Sequence, residues 1–127
     1  MPKTDRGECP DLDILQAEYQ SARLVLLPKG EIDHHSAAQL RARMDRLLYQ
    51  YRPKKCCIDL EKTSFMDSAG LGLLMGRYTC AVSLGAEFSV KNPSAQISKI
   101  IALSGMDRLI PIEGTPAERD AKQKKKG

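Results

Sequence analysis

The 127-residue chain contains no tryptophan, and aromatic residues make up only 5% of it. With hydrophobic residues at 42%, we expect one domain built around an aliphatic core. No apolar run approaches the roughly 20 residues needed to span a bilayer, and no apolar segment follows Met1–Asp5. We therefore expect neither a membrane span nor a signal peptide, and a cytoplasmic location.

Metal-binding and phosphate-binding motifs are absent as well. None of the four cysteines has the C-x-x-C spacing of a zinc or redox site, so reduced and mostly buried thiols are expected. Adjacent Cys56 and Cys57 would point to opposite faces of a strand. Neighbouring His34 and His35 converge poorly on one ion, and no Gly-rich loop has the lysine and spacing of a Walker motif. We expect no cofactor and no metal.

Positive charge is concentrated at one end of the chain. The net charge is +4, and residues 117–127 hold five basic and two acidic residues, so the rest is close to neutral. A nucleic-acid reader would place basic residues on a folded face, usually with aromatics to stack on bases. Direct nucleic-acid binding is therefore not expected. Residues 115–127 are predicted to form a disordered polar tail, and residues 1–10 a loose leader.

Hydrophobic periodicity predicts an α/β domain with a mixed sheet and helices packed on it. A hairpin comes first, and helices then alternate with strands. Pro111 indicates that the last strand lies at an edge of the sheet. The predicted elements are strands Leu12–Tyr19 and Ala22–Leu27, a helix from near Ser36 with a Ser36/Gln39 capping box to before Pro53, strand Cys56–Leu60, helix Ser68–Leu84, strand Ala86–Lys91, a helix from Asn92–Ser94 to Ser104–Gly105, and strand Arg108–Ile112.

A serine lies where the third predicted strand gives way to the second predicted helix, within residues 65–72 (FMDSAGLG). At that position Ser68 faces unpaired backbone N–H groups and the positive end of the helix macrodipole. A phosphate added there would be stabilised rather than disruptive. Ser68 is therefore predicted to cap the helix and is a candidate phosphorylation switch.

The second predicted helix carries an unusual strip of small residues. At about 100° per residue, Gly72 and Gly76 fall on the same side as Ser68. Two internal glycines each cost about 1 kcal/mol of helix propensity. We therefore expect that some contact requires a surface without side chains there. Two explanations stay open: close packing against a neighbouring helix, or a docking surface that Leu73 widens. The stripe expected in the core is Leu71, Leu74, Tyr78, Ala81, Val82 and Gly85.

A second candidate loop, residues 30–35 (GEIDHH), joins the second strand to the first helix. Asp33 is either a helix N-cap or a solvated loop acid. If the strands before the two loops run parallel, both loops lie at one edge of the sheet and Asp33 neighbours Ser68. A phosphate on Ser68 would then meet Asp33 and Asp67, and like-charge repulsion would alter this edge without unfolding the helix.

A hydrolase nucleophile is the rival explanation for Ser68. Asp33, His34 and His35 would supply the partners of a Ser–His–Asp arrangement. However, a nucleophile elbow requires G-x-S-x-G, and Met66 stands where its first glycine belongs. The chain also lacks an obvious oxyanion loop, so we expect that this protein is not an enzyme.

Three segments together resemble one known family. SFMDSAGLGLLMGRY (64–78) and KGEIDHHSAAQLRARMD (29–45) look like the signature segments of STAS-domain anti-sigma factor antagonists of the sporulation type, and SGMDRLIPI (104–112) resembles their closing segment. The resemblance covers residues 12–113 and implies a single domain over residues 11–114. Its fold would be a mixed sheet of four or five strands with helices mainly on one face. The family's amphipathic C-terminal helix is expected to be missing or unstable, because the tail has almost no apolar residue.

The resemblance also implies a function. The unphosphorylated chain would bind an anti-sigma factor and so free a sigma factor. That anti-sigma factor, an ATP-dependent serine kinase, would phosphorylate Ser68 and end the binding, and a PP2C-type phosphatase would reset the chain. The alternative is a STAS module serving stress signalling or another kinase pathway. The expected partner-binding residues are Asp33, His34, Asp67, Ser68, Ala69, Gly70, Gly72, Leu73 and Gly76.

Overall fold

The computed structural model describes residues 14–118. A hairpin is followed by alternating helices and strands, as the periodicity predicts. The leader, residues 1–10, lies outside the described residues. The elements are β1 (Leu15–Gln20), β2 (Arg23–Pro28), β3 (Gly30–Ile32), α1 (His34–Tyr51), β4 (Lys55–Asp59), β5 (Thr63–Met66), α2 (Ser68–Ser83), β6 (Glu87–Lys91), α3 (Ala95–Ser104), a 3₁₀ turn (Met106–Arg108) and β7 (Ile112–Glu113).

Five strands form one mixed sheet in the order β1-β2-β4-β6-β7. β1 runs antiparallel to β2, and the remaining neighbours run parallel. The turn between β1 and β2 consists of Ser21 and Ala22, whose φ angles of 54° and 63° are those of a two-residue hairpin turn of the primed class. The predicted mixed sheet of four or five strands is confirmed, and it has five.

The hydrophobic core lies between this sheet and the helices. Cys56 of β4 pairs with Leu24 of β2 and Phe88 of β6, and all three belong to a buried cluster that includes Leu74 of α2. Cys57, the next residue, is buried but lies outside that cluster. The two cysteines thus point to opposite faces, as predicted. Burial raises the pKa of the Cys56 thiol to about 12, so this thiol is not a nucleophile at neutral pH.

Two short strands that the sequence did not reveal form a second sheet. β3 and β5 pair in parallel, with Ile32 opposite Met66, and both of these side chains are buried. Strands of three and four residues are too short to show a reliable period of two. Their pairing joins the loops in front of α1 and α2.

The last predicted strand, Arg108–Ile112, is wrong except at Ile112. Residues Met106–Arg108 form a 3₁₀ turn after the C-cap of α3, Gly105, whose φ is 82°. Only Ile112–Glu113 pairs with β6, and β7 lies at the edge of the sheet, as Pro111 indicated.

Another helical turn begins after β7. The Glu118 backbone N–H donates to Thr115 Oγ1 at 3.2 Å, the Gly114 N–H donates to Glu118 Oε1 at 2.7 Å, and residues 116–118 are helical. Residues 119–127 of the basic tail lie outside the described part of the chain. Within residues 14–118, no helix has the length and hydropathy needed to cross a membrane.

Candidate functional site

Helices α1 and α2 begin side by side. The Asp67 backbone N–H donates to the Ile32 carbonyl at 3.3 Å, next to the β3–β5 pair. Asp33 follows Ile32, and Ser68 follows Asp67, so the two helix starts are adjacent in space. The structure therefore brings together the two loops that the sequence placed at one edge, and the β3–β5 pair makes the direct connection.

The start of α1 is closed by reciprocal hydrogen bonds. Asp33 Oδ1 accepts from the Ser36 backbone N–H at 2.9 Å, and Ser36 Oγ accepts from the Asp33 N–H at 3.0 Å. The bond from the Ser36 backbone N–H to the carboxylate is the main reason why the pKa of Asp33 lies below its usual 3.8. The predicted start at Ser36 with Gln39 is wrong, because Asp33 takes the N-cap position and the helix begins at His34.

The start of α2 has a simpler cap. Asp67 is the N-cap, and its Oδ1 accepts from the Ala69 backbone N–H at 2.8 Å. Ser68 is the first helical residue, and it is exposed. The prediction that Ser68 caps the helix is wrong, because the extended residue before it holds that position. Within residues 14–118 the Ser68 hydroxyl has no hydrogen-bond partner, so its oxygen is available for modification.

Charges of both signs meet at these two helix starts. The first backbone N–H groups of α1 and α2 contribute partial positive charge, and the carboxylates of Asp33 and Asp67 contribute negative charge. A phosphate on Ser68 would be favoured by the N–H groups of its own helix and repelled by the two carboxylates. Phosphorylation is thus suited to changing this surface while leaving the helix folded.

The Ser–His–Asp arrangement is not formed by the described residues. The Asp33 carboxylate is bound by Ser36, the His35 ring lies 3.4 Å from the Gln39 amide nitrogen, and the Ser68 hydroxyl contacts no base at hydrogen-bond distance within residues 14–118. Nor does any group of three or more His, Cys, Asp or Glu side chains in that range have an arrangement able to hold a metal ion.

The three glycines of α2 serve different purposes. A Cβ placed on Gly70 would overlap the Met66 side chain and lie 3.3 Å from Ile32 Cγ2. A Cβ placed on Gly72 or Gly76 would have no such atom of residues 14–118 within 4 Å. Close packing therefore explains Gly70 and is wrong as an explanation of Gly72 and Gly76. The open strip that the sequence predicted beside Ser68 is present at both positions.

The buried side of α2 matches the predicted stripe only in part: Leu74 and Ala81 are buried as predicted, but the centre of the buried arc is shifted. Val82, predicted to lie in the core, is 51% exposed, and Leu73, predicted to widen the docking surface, is only 4% exposed. The reason is that α2 packs against both β6 and α1, so burial follows these two neighbours rather than the most apolar arc. The buried residues are Gly70, Leu73, Leu74, Arg77 and Ala81.

A shallow groove of about 430 Å³ lies between α1 and α2. Small residues of both helices line it, among them Ala37 and Gly76. Arg77 also lines it, is only 6% exposed, and places its Nε 2.8 Å from Asp45 Oδ1 of α1. The α1 side of this groove was not predicted from the sequence. The one indication of it is that Arg77 is the single charged residue of α2.

The predicted site residues divide into three groups. Asp33, Asp67 and Ser68 lie at the helix starts, and Gly70 is buried beneath them against Met66. The remainder line the groove: His34, Ala69, Gly72, Leu73 and Gly76.

The mixed sheet with the helices packed on it and the adjacent starts of α1 and α2 define a single α/β domain. Residues 15–119 match the STAS domain family, and the chain belongs to that family. The chain is 32% identical over 100 residues to the anti-sigma F factor antagonist of Paenibacillus polymyxa, an alignment that covers 77% of this chain and 86% of the relative.

Solved structures agree with this placement among the anti-sigma factor antagonists. The structure of the antagonist SpoIIAA in its unphosphorylated form has a TM-score of 0.68 and 28% identity, and the match covers 87% of this chain and 96% of SpoIIAA. The phosphorylated form of the Bacillus cell fate determinant SpoIIAA has a TM-score of 0.62 and 28% identity, covering 85% and 97%. SpoIIAA has thus been solved in two phosphorylation states.

Proposed function

We propose that this chain is a phosphorylation-switched antagonist of an anti-sigma factor. Unphosphorylated, it binds the anti-sigma factor and frees a sigma factor for transcription. The anti-sigma factor, acting as a serine kinase, phosphorylates Ser68 and ends the complex, and a PP2C-type phosphatase resets it. The chain is then a substrate and a binder rather than an enzyme, it needs no cofactor, and it acts in the cytoplasm.

The exposed hydroxyl of Ser68, which has no hydrogen-bond partner in the described part of the chain, is the observation that carries this proposal. It stands at the first position of α2, where an added phosphate gains from the free N–H groups of the helix start. The nearby Asp33 and Asp67 carboxylates would oppose the same phosphate by like-charge repulsion. The net effect on helix stability is therefore small, while the charge that a partner meets changes by nearly two units.

A docking surface extends from this serine along α2. Gly72 and Gly76 leave open space on the same side as Ser68, and His34 and Ala69 border the same groove. A partner backbone can approach such a surface closely because no side chain intervenes. We propose that Asp33, Asp67 and Ser68 contact the partner together with this groove.

A kinase assay tests the proposal. The full chain is incubated with ATP and the anti-sigma factor encoded in the same genome, and the modified residue is identified by mass spectrometry. One phosphate on Ser68 is expected, with none on Ser68→Ala and a normal yield on Ser83→Ala, a serine at the other end of α2. Unmodified chain should bind the anti-sigma factor, and phosphorylated chain should not.

Each other outcome of the assay has a definite meaning. Modification of a different residue, or none, would contradict the proposal. Modification of Ser68 only by a different kinase would support the alternative of a stress-signalling or other partner-switching STAS module. Labelling of Ser68 by an esterase probe would support a serine nucleophile instead.

A further inference from the structure

The groove between α1 and α2 combines a smooth wall with a buried cation. Gly72 and Gly76 leave it open on the α2 side, and Ala37 and Ala38 provide short side chains on the α1 side. Such a floor alone would only allow close approach of a partner. Arg77, which lines the same groove, adds a chemical preference.

Arg77 is incompletely satisfied by its own chain. Its side chain is 7% exposed and its Nε lies 2.8 Å from Asp45 Oδ1, but the angle of this contact falls outside hydrogen-bond geometry. Its Nη1 is also buried and has no hydrogen-bond partner within the described part of the chain. A buried guanidinium normally has its fork of donors occupied by carboxylate oxygens. Arg77 therefore has donor capacity that Asp45 does not use.

The charged residues that line the groove are all basic. Arg41 of α1 lines it beside Arg77, and His34 lies at its end near Ser68. Arg41 acts on Arg77 as a like charge, and Asp45 offsets only one of the two guanidinium groups. The group that complements this end of the groove is a carboxylate.

We propose that the groove receives an acidic side chain of the anti-sigma factor, paired with Arg77 and Arg41, while the adjacent partner backbone lies over Gly72 and Gly76. This inference rests on the proposed function and adds the chemistry of the partner. Ser68 and Arg77 are separated by about 14 Å along the helix axis. Phosphorylation of Ser68 would therefore act at one end of the interface, and the ion pair with Arg77 would form at the other.

The exposed arginine provides the cleanest test. Arg41→Gln removes one charge from the groove without disturbing the core, and Arg46→Gln removes the same charge from an exposed position of α1 outside the groove. By titration of the unphosphorylated chain with the anti-sigma factor, Arg41→Gln is expected to weaken binding about tenfold and to reduce its salt dependence. Arg46→Gln should bind like the unaltered chain.

Charge reversal identifies the partner residue. Arg41→Glu should lose binding further, and an Asp→Lys or Glu→Lys substitution at one position of the anti-sigma factor should restore it. The double variant Asp45→Asn/Arg77→Met removes both members of the ion pair, so that neither charge is left alone. It should fold by circular dichroism and bind at least as weakly as Arg41→Gln.

The two proposals fail in different ways. If the unaltered chain binds the anti-sigma factor and is modified on Ser68, while the Arg41 variants and the Asp45/Arg77 double variant bind equally well, the acidic-anchor inference is wrong and the function stands. Equal losses in Arg41→Gln and Arg46→Gln would also overturn it, because the effect would then be one of net charge. If the unaltered chain neither binds nor is modified, both proposals fall.

Discussion

The buried and the open sides of α2 contain similar residues that serve opposite purposes. On the buried side Gly70 touches Met66, and Leu73 fills space toward the core. On the open side, a Cβ added to Gly72 or Gly76 would have no atom of residues 14–118 within 4 Å. The Ser68 hydroxyl has no hydrogen-bond partner among the same residues. The glycines of this helix therefore have two different roles. Gly70 allows close packing inside the protein, and Gly72 and Gly76 leave an open surface. Substitutions on the two sides should separate stability from binding.

The largest difference is expected between Leu73→Ala and Val82→Ala. Leu73 is 4% exposed, so truncation should cost about 2–5 kcal/mol of unfolding free energy through lost burial and a residual cavity. Val82 is 51% exposed, and its truncation should change stability by less than about 0.5 kcal/mol. Urea unfolding followed by circular dichroism measures both. The reverse ranking would restore the apolar stripe predicted from the sequence.

A smaller loss is expected for Gly70→Ala. The new methyl group would overlap the Met66 side chain and approach Ile32. Methionine is flexible and can move aside in part, so the overpacking should cost about 1–3 kcal/mol. The same urea experiment measures it. A gain in stability as large as that expected below for Gly72→Ala and Gly76→Ala would show that Gly70 is not a packing position.

Substitution of Gly72 or Gly76 by alanine should instead stabilise the domain. Gly72→Ala and Gly76→Ala meet no atom within 4 Å, and each should raise the unfolding free energy by about 0.5–1 kcal/mol, because alanine loses less backbone entropy in a helix. If the docking strip is used, the same variants should weaken binding of the anti-sigma factor. Stabilisation with unchanged binding would argue against the strip, and destabilisation would revive close packing.

The sequence predicts those parts of the architecture that depend on residues close together in the chain. The hairpin, the alternation of helices and strands, and the edge position of β7 all follow from periodicity and from single residues such as Pro111. The proximity of Asp33 and Ser68 follows from topology, because loops at the same ends of parallel strands share an edge. The short pair β3–β5 does not follow, since too few residues carry its signal.

The finer features of the site depend on which elements lie next to α2. A helical wheel identifies the most apolar arc, but α2 packs mainly against α1 and β6, and its buried arc faces both of them. That is why Leu73 is buried and Val82 is exposed. Arg77 shows the same limit, because its burial depends on Asp45 of α1, and no spacing within α2 indicates that partner.

The smallest effect on stability is expected for Ser68→Asp. The negative charge at the start of α2 is favoured by the macrodipole by about 0.3–1 kcal/mol, and repulsion from Asp33 and Asp67 offsets part of this gain. Thermal unfolding at low salt should therefore show little change, while binding of the anti-sigma factor falls. Ser83→Asp, at the last residue of the same helix, is the matched control and should be destabilising by a similar amount.

The repulsion can be measured by itself. Asn is as good an N-cap as Asp, so Asp33→Asn should leave α1 capped while removing one of the two opposing charges. The double variant Ser68→Asp/Asp33→Asn should then gain a few tenths of a kcal/mol over the sum of the single changes, and added salt should reduce that gain. A domain that melts on Ser68→Asp would mean that the repulsion outweighs the favourable macrodipole. A coupling of zero would mean that the two helix starts do not sense each other's charge. In that case a phosphate on Ser68 could act on the partner only by direct contact.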